Sequence, residues 1–328
     1  MSYSDIDFNE VFLFAQKHAV VGLIAAGLEY VKDVNISQEV ALTFAGSTLQ
    51  LEQRNRDMNL FLASMIEKMR KDNIYTILVK GQGIAQCYSR PLWRTSGDID
   101  FFFFRDSYNS AVDYFKKLSS NNTQDSRYTK TYTVILNQWS VELHGTLRSG
   151  LSSKIDQEID LVQDEVFKHG DVRAWRDSNT YIFLPGVDSD LYLLFTHFVR
   201  HFYHNEFLLR QTCDWCRFIW TYKDKINVDL LEIRLLKTNL MSEWKAFGAF
   251  VIDYLGMPSE IMPFYEDTAK WHKKAEKIMR YVNSKKKGNR VNNMIAISKI
   301  FPLNALRFMP SLLFNVNGMK IRERIFKL

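Results

Sequence analysis

Residues 97–104 read GDIDFFFF, so two aspartates one residue apart open one of the most apolar runs in the chain. Like charges this close are costly unless a positive species sits between them. In an extended strand, residues two apart point the same way, so Asp98 and Asp100 project together while Ile99 turns inward. Phe101 to Phe104 anchor that strand in apolar surroundings. A rigid pair of carboxylates suits a hard, oxygen-preferring cation such as Mg2+. Taken alone, Asp-x-Asp is most often a solvated pair at a strand start, so its neighbours decide its meaning.

One neighbour is a third carboxylate. The run SVELHG (140–145) alternates so that Glu142 and His144 share one face while Val141 and Leu143 take the other. Two-ion phosphoryl chemistry commonly draws such an acid from a second strand. The other neighbour is LVKGQGIAQCYSRPLWRTSGDID (78–100), where a strand ends in Lys80-Gly81, a short helix follows, and Arg94, Ser96 and Gly97 lead into the aspartates. A glycine just after a strand lets a phosphate approach the backbone.

Around this stretch the chain divides into three parts. Residues 1–73 carry apolar positions at helical spacing. Residues 74–186 hold the β-rich runs YTILVK and GDIDFFFF, a helix over 107–120, and a hairpin of YTKTYTVIL and WSVELHGTL turning at Asn137 and Gln138. VRAWRDSNTYIFL adds further strands, and residues 187–328 return to aromatic-rich helices. The expectation is an α+β protein: a small mixed sheet flanked by N-terminal helices and a C-terminal helical region.

A chain of 328 residues with 46% hydrophobic content can bury cores for about two domains. It has no uninterrupted apolar run of membrane-spanning length, and its start, MSYSDIDFNE, lacks a signal-peptide layout, so a cytoplasmic protein is expected. Three cysteines give no disulfide framework. Charge is uneven: residues 270–328 carry 15 Lys/Arg against 2 acids, a net of +13, so the remainder carries +6 − 13 = −7. The basic tail reads first as a solvated helical face with a flexible loop at NSKKKGNR (283–290). Binding to nucleic acid, or to an anionic surface peripheral to the inner membrane, are its two functional readings.

The order lysine-glycine, tyrosine, proline, arginine, then Gly97-Asp98-x-Asp100 resembles the nucleotidyltransferase fold of the DNA polymerase beta superfamily. More narrowly it resembles a bacterial family of uncharacterised nucleotidyltransferases. The resemblance implies that Asp98, Asp100 and Glu142 are catalytic and hold one or two Mg2+ ions. It implies that Lys80, Gly81, Gln82, Arg94, Ser96 and Gly97 bind the nucleotide. His144, His197, His201, Arg210 and Asp214 would line the cleft. Two departures stand out: Gln82 follows Gly81 where a serine is common, and the third acid is glutamate rather than aspartate.

The expected activity is transfer of a nucleoside monophosphate from a nucleoside triphosphate such as ATP to an acceptor. A sugar or sugar phosphate is favoured, with a protein side chain or a tRNA end as alternatives. A nucleotide-binding scaffold without turnover, or a metal-dependent phosphohydrolase, are the competing readings. The histidines of THFVRHFYHNEF with Cys213 and Cys216 are zinc-type ligands, but no second C-x-x-C supports a site. The two cysteines are therefore read as buried thiols in a Trp- and Phe-rich helix.

Overall fold

The computed structural model describes residues 6–31, 36–119, 122–124, 130–284 and 290–309. Two helices, α1 (Phe8–Lys17) and α2 (Val21–Leu28), precede the long α3 (Gln38–Lys71). Asp7 caps α1 by accepting from the Asn9 and Glu10 amides, and Ser37 caps α3 by accepting from the Val40 amide. Lys68, Arg70 and Lys71 crowd the C-terminal turn of α3, where the helix dipole favours positive charge. Gly22 of α2 lies so close to the turn at Pro91–Trp93 that an added Cβ would stand 2.1 Å from the Trp93 carbonyl oxygen.

The chain then forms β1 (Ile77–Val79), α4 (Gly81–Ala85), β2 (Asp98–Phe102), α5 (Arg105–Leu118), β3 (Asn122–Gln124), β4 (Thr131–Leu136) and β5 (Trp139–His144). The sheet order is β1-β2-β5-β4-β3, with β2 and β5 parallel and the other pairs antiparallel. It is the small mixed sheet expected from the sequence. The β4–β5 hairpin turns at Asn137, whose φ of 55° lies in the left-handed region that asparagine tolerates better than most residues.

Period-two alternation gives the sheet two different faces. Ile99, Phe101, Val141 and Leu143 are buried on one, against Met58, Leu62 and Met65 of α3 and Phe115 of α5. Val40, Phe44, Thr48, Asn55, Met58, Leu62, Met65 and Met69 of α3 are buried three, four or seven positions apart, which keeps them on one stripe of the helix. The opposite face carries Asp98, Asp100, Glu142 and His144, and beyond them Phe102 packs with Ile77, Val79 and Val166. Val166 comes from α6 (Ser153–Lys168), an element the sequence reading does not assign. A separate hairpin, β6 (Val172–Asp177) and β7 (Thr180–Pro185), follows.

The second part is helical: α7 (Val187–Tyr203), α8 (Leu209–Tyr222), α9 (Val228–Thr238), α10 (Met241–Leu255), α11 (Ala269–Ser284), α12 (Arg290–Ile300) and α13 (Pro302–Phe308). Its core is aromatic. Phe195, Phe198 and Phe202 of α7 meet Trp244 and Phe247 of α10 with ring centroids 4.7 to 5.2 Å apart, mostly edge to face. Gly256, with φ of 73°, ends α10 in the left-handed cap that favours glycine.

The chain forms two compact units. One joins Met1–Leu147 to Val166–Gly186, and the other joins Arg148–Glu165 to Val187–Leu328. The N-terminal helices thus belong to the same unit as the sheet, because the apolar stripe of α3 covers one sheet face. Among the described residues no helix is long and apolar enough to cross a membrane. Most of the NSKKKGNR loop, at 285–289, and the tail from 310 onward lie outside the described residues.

Candidate active site

The parallel pairing of β2 with β5 sets Asp100 directly opposite Glu142, Asp98 opposite Ser140, and Phe102 opposite His144. Side chains facing each other in this register share a face, so two acids from distant parts of the chain meet in the middle of the sheet. One ligand atom each from Asp100, Glu142 and His144 falls within 4.8 Å of the others. Asp98 stands at the start of β2 on the same face, outside that group of three, and close enough for its charge to act on Glu142.

Asp100 is 2% exposed, and a carboxylate so buried needs partners. Lys80 Nζ donates to its Oδ1 across 3.0 Å, and His144 Nε2 lies 2.8 Å from the same oxygen. Burial alone would push the Asp100 carboxyl up. The Lys80 charge and the His144 hydrogen bond outweigh it and hold the group well below the usual carboxylate range. Glu142 behaves oppositely: burial raises it, Asp100 and Asp98 raise it further, and His144, with Nε2 3.5 Å from Oε2, opposes the rise. One acid is thereby kept ionised and its neighbour is made more basic.

Lys80 reaches Asp100 from an unusual backbone. Its φ of 58° and ψ of −144° lie near a region that L residues avoid, at a cost on the order of 1–3 kcal/mol. Gly81 follows at φ 39°, where glycine is favoured.

The remaining expected nucleotide residues form the base of this loop. Gln82, Arg94 and Ser96 are each 3% exposed or less. Arg94 Nη1 donates to Ser96 Oγ at 2.8 Å, and Ser96 Oγ donates to Gln82 Oε1 at 3.2 Å. Gln82 Nε2 donates to Asn55 Oδ1 at 3.2 Å, and Asn55 Nδ2 donates to the Leu92 and Arg94 carbonyls at 2.7 and 2.8 Å. Arg54 also donates to the Ser96 carbonyl. Gln82 thus spends its amide within the protein, where the sequence reading suggests a phosphate contact for it. Gly97 continues the loop into β2 and has open space where a Cβ would be.

Asn55 and Arg54 lie on α3, 42 residues or fewer before their partners, and nothing in their local sequence marks them. The hint is a polar Asn55 inside the buried stripe of a helix face that is otherwise apolar apart from Thr48.

His197, His201, Arg210 and Asp214 all lie in the helical unit. His197 and His201, one turn apart on α7, bring their Nε2 atoms within 3.0 Å, and His201 Nδ1 lies 3.1 Å from Glu206. Arg210 and the buried Asp214 are one turn apart on α8. Burial pushes the Cys213 thiol up to about 12 and Cys216 well above its ordinary value, which disfavours the thiolates that zinc needs. Among the described residues, Asp100, Glu142 and His144 are the one group of three metal-type ligands.

Asp100 and Glu142, facing each other across the strand pair with Asp98 on the same face, offer carboxylate oxygens that fit a hard divalent cation, while His144 Nε2 is held on Asp100. Residues 4–244 match the family described as "Uncharacterised nucleotidyltransferase", and the chain belongs to that family. It is therefore a nucleotidyltransferase. Among solved structures it is similar to an antigenic nucleotidyltransferase-like protein from Paracoccidioides brasiliensis, at 12% identity over 65% of this chain and 96% of that one, with a TM-score of 0.36. No curated protein matches the chain.

Proposed function

We propose that this protein transfers a nucleoside monophosphate from a nucleoside triphosphate to a hydroxyl- or phosphate-bearing acceptor, with Mg2+ held by Asp98, Asp100 and Glu142. The observation that carries the reading is the register match of Asp100 with Glu142 on one sheet face, beside Asp98. Three acids kept together have little structural use without a cation. Mg2+ bound there would neutralise phosphate oxygens and ease in-line displacement at the α-phosphorus.

The protein's own groups then have distinct tasks. Asp100, kept ionised by Lys80 and His144, is a permanent anionic ligand. His144 orients the Asp100 carboxylate through its 2.8 Å contact. Glu142, across the strand pair from Asp100, is the candidate base that accepts the acceptor's proton. As that proton leaves, the acceptor oxygen bonds the α-phosphorus, the bond from that phosphorus to its bridging oxygen breaks, and pyrophosphate departs. The backbone around Gly81 and Gly97 receives the triphosphate, while Gln82, Arg94 and Ser96 hold the loop that shapes this wall. His197, His201, Arg210 and Asp214 are kept as the cleft residues that the family resemblance implies. A sugar or sugar phosphate is the favoured acceptor on the same ground.

Product analysis with each ribonucleoside triphosphate and Mg2+ tests the reading. Pyrophosphate with a nucleotidylated acceptor is expected from the wild type and not from Asp98→Asn. Full activity in that variant, or free nucleoside monophosphate as the sole product, would overturn it.

A further inference from the structure

The helical unit contains a cavity of about 540 Å³ between α11, α12 and the start of α13, within the usual range for a ligand site. Lys277 and Arg280, three residues apart, point into it from one face of α11, and Lys299 joins them from the last turn of α12. Lys277 Nζ donates to the Lys299 backbone carbonyl at 3.2 Å, which holds the Lys277 ammonium beside the end of α12. Among the described residues that line the cavity, none is acidic. The carboxylate that meets Arg280 is Glu276, one turn back on α11, in an exposed pair of the kind that contributes little. Three cations gathered around one hollow favour an anionic occupant.

The rest of the lining narrows the choice. Ala296, Ile300 and Pro302 give the lining apolar surface, beside the hydroxyls of Ser284 and Ser298. Tyr281, the aromatic residue in the lining, is 1% exposed, packs its ring 5.3 Å from Phe202 and bonds Asn205 through its hydroxyl. It offers no face on which a nucleobase could stack, as single-stranded nucleic acid would require. Cations beside a short apolar surface instead match the boundary between a lipid phosphate and its first methylenes.

We propose that this cavity binds the headgroup of an anionic phospholipid, with Lys277, Arg280 and Lys299 on the phosphate and Ala296, Ile300 and Pro302 against the glycerol and upper acyl chain. The sequence bias is consistent with such a surface: residues 270–328 carry 15 Lys/Arg against 2 acids. The proposal is independent of the catalytic reading and predicts that one end of the helical unit meets an anionic bilayer.

The test is co-sedimentation of the full chain with vesicles of phosphatidylcholine alone or mixed with phosphatidylglycerol. Wild type should sediment only with the anionic vesicles. Reversing Lys277, Arg280 and Lys299 to Glu should weaken binding about a hundredfold, from the loss of three basic contacts near the surface. Ala296→Trp, which fills the hollow and keeps every charge, should weaken it too. Reversing the exposed Lys223, Lys225 and Lys270 to Glu makes the same change in net charge and should have far less effect. Equal losses in the two triple variants, undiminished binding by both cavity variants, or binding of the wild type to RNA but not to anionic vesicles would overturn the proposal.

Discussion

Lys80 Nζ donates to Asp100 Oδ1 across 3.0 Å, joining the residue that precedes α4 to the central acid of β2. The same contact accounts for two features. It keeps a buried carboxylate ionised, and it gives a reason for Lys80 to adopt a backbone conformation that a lysine ordinarily avoids.

Lys80→Met should show the electrostatic half of that relationship. With its folded pKa below the unfolded value near 3.9, Asp100 adds stability that is present above about pH 4 and lost as pH falls through the folded value. Without Lys80 that folded value rises toward the unfolded one. The variant should lose about 1–3 kcal/mol at neutral pH, and its acid unfolding should begin at higher pH. Thermal melts across an acid pH series, in the presence of a chelator, measure both.

Glu142→Gln should behave in the opposite sense. The Glu142 carboxyl is raised by burial and by Asp100, so its contribution is present below the unfolded pKa and lost as pH rises through the folded one. In metal-free protein the variant should therefore be more stable than wild type at neutral pH, with the difference vanishing under acid conditions. Its nucleotidyl transfer should fall by about 10²-fold or more, the range for losing a general base.

Asn55→Ala tests whether the loop ahead of the aspartates depends on α3. The substitution orphans the Leu92 and Arg94 carbonyls and the Gln82 amide at once. A loss of about 2 kcal/mol or more is expected in urea unfolding, since each buried polar group left unpaired costs about 1–3 kcal/mol. Turnover should drop although no metal ligand has changed.

Lys274 gives a prediction in the helical unit. Burial lowers its ammonium to about 8, partly opposed by Glu243, so its charge is disfavoured in the folded state. The unfolded chain binds more protons between that value and the ordinary lysine value, so wild-type stability should rise as pH increases through this window. Lys274→Met should remove that rise. Melts kept below about pH 9 avoid most of the ordinary titration of tyrosine, whose pKa is about 10.

Much of this arrangement was legible in the sequence, for physical reasons. Alternation alone puts Asp98 with Asp100 and Glu142 with His144, because side chains of a strand have period two. Asn137 and Gln138 between two β-rich runs define the hairpin. What alternation cannot give is which strands pair: Asp100 faces Glu142 only because β2 and β5 lie side by side and parallel, across 42 residues of chain. The contribution of Asn55 was hidden for the same reason, since its partners lie far along the sequence. The α6 helix was a different omission. Ile155, Ile159, Val162 and Val166 recur at a helical period in the sequence and are all buried on α6. Gln82 shows a limit of motif reasoning, because its position after Gly81 suggests a ligand contact while its amide faces Asn55.

The carboxylates on β2 and β5 are proposed to bind a metal–nucleotide complex. The most direct test is a thermal shift with each of the four ribonucleoside triphosphates, with and without Mg2+, on wild type and on Asp98→Asn/Asp100→Asn. Ligand in hundredfold excess over its Kd should stabilise by about 2.7 kcal/mol. Stabilisation by at least one triphosphate that requires Mg2+ and disappears in the double variant is the expected result. No shift with any triphosphate, or an equal shift in the variant, would contradict the account.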